Sequence, residues 1–154
     1  MVDVFDKAKR SEVMSRIRGR GNRDTEVLLA KLMRRSRITG WRRHQLIPGK
    51  PDFVFRAARL AVFVDGCFWH GCPRHCHMPA TNRAFWYRKL EANKARDHKV
   101  NRELRGKGWR VLRVWEHEMT KPERVLHRLK AALGPLAGES RKARGGDGTT
   151  PQLR

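Results

Sequence analysis

Cysteine is scarce in this chain. There are three in 154 residues, all between Cys67 and Cys76. An odd count excludes complete pairing as intramolecular disulfides. Acidic residues are also few: 15 Asp plus Glu stand against 36 Lys plus Arg, a formal charge of +21. An excess of that size opposes compaction and excludes a basic partner; it favours a polyanion, nucleic acid first. No apolar run reaches the roughly 20 residues that span a bilayer, and no long basic amphipathic helix is patterned, which leaves an anionic membrane as the weaker candidate. The first residues, MVDVFDKAKR, contain no apolar signal region. The expectation is a cytoplasmic, reducing setting, where clustered Cys and His read as metal ligands.

What is present suits one domain with one core: 39% of residues are hydrophobic and 33% charged. Residues 1–23 read as a basic N-terminal arm, 24–133 as the folded domain and 134–154 as a disordered tail. From Asp24 a helix is expected, with Leu28, Leu29, Leu32 and Met33 as its apolar stripe. Three strand-like runs follow, RRHQLI, PDFVF and RLAVFVD; the last two are nearly continuous apolar runs of the buried kind. Residues 81–107 form a long helix on which Trp86, Leu90, Asn93, Asp97, Val100 and Leu104 share one face. Two polar residues therefore lie on the apolar stripe, where a functional carboxylate or a buried hydrogen bond is aimed inward. WRVLRVW is a further buried strand. Thr120 and Glu123 bracket Pro122 as a capping box for a last helix ending at Leu133. The order α-β-β-β-α-β-α predicts an α/β fold, a mixed sheet flanked by helices.

All three cysteines sit in DGCFWHGCPRHCHMP. Cys67, Cys72 and Cys76 are close enough in sequence to converge on one tetrahedral zinc. The fourth ligand is one of His70, His75, His77 and His117. His117 is preferred, because it ends the strand expected beside the one that leads into Cys67; His75 is the local alternative. Closed coordination by three Cys and one His leaves no position for substrate, so this zinc is structural. Asp52 heads one strand and Asp65 ends the next, the outline of a PD-(D/E)xK nuclease core, although Cys67 stands where that motif has lysine.

The ordered string PGKPDFVF, VDGCFWHGCPRHC, PATNRAFW, NKARD and GWRVLRVWEHE, preceded by RSEVMSRIRGRGNRDTE, resembles the very short patch repair endonucleases over roughly residues 10–118. The resemblance implies a restriction-endonuclease-like fold with a structural zinc. It further implies a Mg²⁺-dependent enzyme that nicks one strand of double-stranded DNA beside a T:G mismatch, the lesion left when 5-methylcytosine deaminates. By the same resemblance Asp52 and the main-chain carbonyl of Val64 hold Mg²⁺, and His70 activates water. Glu26 and Asp97 support the metal waters and orient the site. Cys67, Cys72, Cys76 and His117 hold zinc, while Phe68, Trp69 and Trp86 intercalate beside the mismatch. Arg16, Arg18 and Arg20 are expected on phosphates or in a groove. Some relatives carry threonine and histidine where this chain has Val64 and Asp65, which leaves Asp65 without an assigned role. The expected enzyme is a monomer in the cytoplasm, on the nucleoid when DNA-bound, with other DNA repair proteins as further partners. Two other functions fit the composition: a zinc-stabilised nucleic-acid-binding module without catalysis, or another nuclease of the same fold. The inward carboxylates separate the first from an enzyme, since a mere binder has no use for them.

Overall fold

The computed structural model describes residues 24–135. Arg16, Arg18 and Arg20, with the rest of the basic arm, and nearly all of the tail lie outside the described residues. Helix α1 covers residues 24–35. It is followed by β1 (Trp41–Arg42), β2 (Phe53–Phe55), β3 (Leu60–Asp65), α2 (Arg83–Gly106), β4 (Arg110–Trp115), a short 3₁₀ turn (Glu116–Thr120) and α3 (Pro122–Leu133). The four strands form one sheet in the order β1-β2-β3-β4. The first two pairings are antiparallel and β3–β4 is parallel, with α2 as the crossover. This is the mixed α/β sheet that the alternation of apolar runs and amphipathic segments predicts.

Strand alternation divides the interior. Leu60, Val62 and Val64 of β3 face one way, into a core shared with Leu29 and Met33 of α1, Val114 of β4 and Val125 and Leu129 of α3. Ala61 and Phe63 face the other way, against Leu104 and Val100 of α2 with Val111 of β4. Each large side chain removed from water in these layers contributes about 1.5–3 kcal/mol. The next residue in the second series is Asp65, at the strand end and only 4% exposed.

Three local expectations need correction. RRHQLI is not a strand beyond Arg42: His44 has φ of 53°, and a left-handed residue cannot continue a pleated strand. The α1 stripe runs through Thr25, Leu29, Ala30 and Met33, and Leu28 is turned to solvent. Thr120 does not cap α3, since its hydroxyl donates to the carbonyl of His117 at 2.8 Å. Pro122 does open that helix. No helix among the described residues is long and apolar enough to cross a membrane.

Candidate active site

The ends of β2 and β3, the loop after β3 and the middle of α2 enclose an open cleft of about 420 Å³. Asp52 precedes β2. The antiparallel register, Phe53 opposite Val62, brings Asp52 beside Val64, whose backbone N–H donates to Asp52 Oδ2 at 2.7 Å. Burial pushes the Asp52 carboxyl up to about 7; the Val64 N–H opposes the rise, and Glu26 beside it adds to it. Glu26 itself is paired with Arg43, whose guanidinium lies over the Phe53 ring. The turn before Asp52 depends on Gly49. At φ of +76° a Cβ there would come 2.3 Å from Val100 Cγ1, so only glycine lets this turn pack on α2.

The opposite wall carries His70. Its Nδ1 is 2.6 Å from Asp97 Oδ2 and 3.7 Å from Asp65 Oδ1. With Nδ1–H donated to Asp97, the neutral ring presents Nε2 as an acceptor. Burial works to lower the His70 pKa, but the Asp97 hydrogen bond and the charge of Asp65 outweigh it and the net shift is upward. Burial works to raise the Asp97 pKa; His70, Arg113 and Arg96 overcome it and hold Asp97 below the usual carboxylate range. One helical turn before Asp97, buried Asn93 donates Nδ2–H to the carbonyl of Trp69 at 2.8 Å. The two inward polar residues of α2 thus grip consecutive residues of the cysteine loop.

Beyond His70 the loop closes on a sulfur and nitrogen cluster. Continuing the parallel β3–β4 register, in which Asp65 lies opposite Trp115, sets Cys67 against His117. Cys67 Sγ is 3.2 Å and Cys72 Sγ 3.5 Å from His117 Nδ1. Ligand atoms of Cys67, Cys72, His75 and His117 all lie within 4.8 Å of one another. Tetrahedral zinc sets its sulfur and nitrogen ligands about 3.5 Å apart, so this donor set fits that ion. Cys76 is outside the group; its thiol lies 3.6 Å from the carbonyl of Phe68.

Phe68, Trp69 and Trp86 form one aromatic cluster, with ring centroids 5.0 to 6.2 Å apart. Phe68 and Trp69 are half-buried, whereas Trp86 is buried and backs the other two. Phe85, half exposed beside Trp86, extends the cluster outward. The cleft also contains residues that the motifs do not single out: Lys50, Lys89, Arg96 and Arg113. Of these only Arg113 left a signal in the sequence, a cation set between the apolar pairs Val111–Leu112 and Val114–Trp115.

The family described as DNA mismatch endonuclease Vsr matches residues 2–78. DNA mismatch endonuclease Vsr of Escherichia coli (strain K12) is 41% identical over 121 residues, covering 75% of this chain and 74% of that one. Type II nicking enzyme V.XorIIP of Xanthomonas oryzae pv. oryzae is 36% identical over 138 residues, 88% of this chain and 99% of that one. Type II nicking enzyme V.NaeI of Lentzea aerocolonigenes is 59% identical over 69 residues, which span 42% of its length.

Proposed function

The chain belongs to the Vsr family of DNA mismatch endonucleases and is a DNA endonuclease, and from that premise we propose that it nicks one strand of duplex DNA beside a T:G mismatch with Mg²⁺ as cofactor. The observation that carries the reading is the pairing of two unlike walls in one cleft. Asp52, with Glu26 behind it, stands on one and the His70–Asp97 pair on the other.

Asp52 offers hard oxygens and is half-buried, with no cation paired to it among the described residues, which suits Mg²⁺. Asp52 and the carbonyl of Val64 would hold the ion, with Glu26 on its waters. Bound there, Mg²⁺ supplies charge neutralisation for the phosphate and its leaving oxygen. His70 does the proton work: Nε2 takes a proton from water, the hydroxide oxygen bonds to phosphorus, and the phosphorus–oxygen bond to the departing strand end breaks. Asp97 holds the ring and stabilises the imidazolium that forms. Zinc held by Cys67, Cys72 and His117, with Cys76 or His75 as the fourth ligand, stiffens the loop that carries His70 and stays out of the reaction.

Phe68 and Trp69, backed by Trp86, serve as a wedge, because a mismatched step costs least to unstack. The folded domain is 24–133, with the arm 1–23 as an added phosphate contact through Arg16, Arg18 and Arg20. The enzyme works as a cytoplasmic monomer on nucleoid DNA. Paired duplexes that differ only in T:G against C:G, incubated with Mg²⁺ or with chelator and mapped for the nick, test the reading. Nicking confined to T:G and lost with chelator supports it; equal cutting of C:G, or cutting that survives chelation, sinks it.

A further inference from the structure

The cleft holds Asp52, Asp65 and Asp97, with Glu26 beside Asp52, yet it must receive a phosphate. A cation bound at Asp52 answers the first wall only. On the second wall the balancing charge is Arg113, whose side chain is 19% exposed. Strand alternation sends it to the α2 side of β4, opposite Phe63 and two register positions from Asp65, and its guanidinium stacks 4.4 Å over the Phe63 ring. Nη1 donates to both oxygens of Asp65 at 2.9 Å. Nε donates to Asn101 Oδ1 at 3.0 Å, and Nη2 lies 3.5 Å from Asp97 Oδ1. The other oxygen of Asp97 is the one that meets His70.

We propose that Arg113 is a positioning residue for strand cleavage: anchored by Asp65, it fixes Asp97 against His70 and cancels the carboxylate charge on that wall. This rests on the reading of His70 as the proton acceptor. It also gives Asp65 its role, that of an anchor drawn off by Arg113, so that Asp97 and not Asp65 takes the ring nitrogen of His70. A planar fork is what this geometry requires, since Nη1 meets the Asp65 carboxylate while Nη2 reaches Asp97 and Nε holds Asn101.

Three variants test the assignment: Arg113→Met, Arg113→Lys, and Asp65→Leu with Arg113→Met. Outer-shell partners of this kind are worth roughly 10–100-fold in activity, and that loss is expected in kcat for Arg113→Met, with DNA affinity within about twofold. Arg113→Lys, which keeps charge without the fork, should recover part of it. Replacing a buried ion pair by apolar groups is often neutral or stabilising, so the double variant should fold at least as stably as Arg113→Met and still cleave slowly. A double variant that cleaves at the wild-type rate would overturn the proposal, because the pair would then serve only the fold. The ratios are read on whichever duplex the wild type cuts, so loss of T:G preference defeats the substrate reading alone. Ring ¹⁵N shifts of His70 at alkaline pH give a readout free of activity. The Nδ1–H tautomer is expected in the wild type and a mixture in Arg113→Met; an unchanged tautomer in that variant counts against the assignment.

Discussion

Asp52 and Asp97 face the same cleft and are the same residue, yet their environments drive them in opposite directions. Asp52 sits among buried groups beside a second carboxylate, and its pKa rises to about 7. Asp97 is less deeply enclosed, and His70, Arg113 and Arg96 bring its pKa below the ordinary value. Burial pushes both upward, and the cationic neighbours of Asp97 reverse it there. The chain provides a positive partner for Asp97 from its own helix, strand and loop. Among the described residues Asp52 has no such partner; it accepts from the Val64 backbone N–H and lies beside Glu26. One wall has its charges paired within the described fold, and the other is where the proposed Mg²⁺ would bind.

Asp52→Asn breaks this contrast most severely. Nicking should fall to background, while stability moves the other way. A carboxyl whose folded pKa is raised keeps its proton in the native state after the unfolded chain has lost it. Stability therefore falls as pH rises from about 4 to about 7, by up to roughly 4 kcal/mol for a three-unit shift. In chelator, thermal melts at pH 8 should show Asp52→Asn more stable than the wild type, and Mg²⁺ should stabilise the wild type only. A variant melting below wild type at pH 8 contradicts this account. Cys67→Ser attacks the support of the second wall. Metal content and melting temperature should drop together, the latter by about 10 °C or more, since zinc binding energy is folding energy. Elemental analysis that finds no zinc in wild-type protein purified without chelator would remove the basis for it.

His70→Ala is a smaller and more local break. Turnover should fall by roughly 10²–10⁴-fold with zinc and fold retained. Release of zinc by this variant would instead make His70 a ligand. The mildest test leaves both walls intact. Trp69→Ala should lower nicking of T:G DNA more than it weakens binding to duplex of any sequence. Arg18→Ala should weaken binding to T:G and C:G DNA alike and reduce the slope of affinity against salt by about one. Should Trp69→Ala keep full T:G preference, the ring is packing against Trp86 and recognition lies elsewhere.

The second wall is the harder one to read from sequence, for a definite reason. β2, β3 and α2 are legible because their apolar residues recur at the periods of buried strands and of a one-sided helix; WRVLRVW does form β4, but as the sheet's edge strand it buries only Val114, not the whole run expected. Asn93 and Asp97 stand out as polar residues on an apolar face. The partner of Asp65 does not stand out: Arg113 is 48 residues away, and the pairing depends on a parallel register that only the folded sheet creates. The cysteine loop shows the same limit at short range. Spacing places three cysteines and three histidines of one segment within reach of one ion, but the backbone path decides which face inward, and His75 rather than Cys76 is brought to the group. RRHQLI has strand composition, and the left-handed turn at His44 overrides it.

Because β3 and β4 run side by side in the same direction, the segments that meet at the sulfur cluster are remote along the chain: Cys67 and His117 are 50 residues apart. Joining them closes a loop that includes all of α2, and a cross-link over that length removes about 4 kcal/mol of chain entropy from the unfolded ensemble. A ribosome-bound chain that has emerged only as far as the cysteine loop has His70 but neither the imidazole of His117 nor β4 to lie against. A chain long enough to bring His117 to the cysteines has also acquired Arg113 and β4.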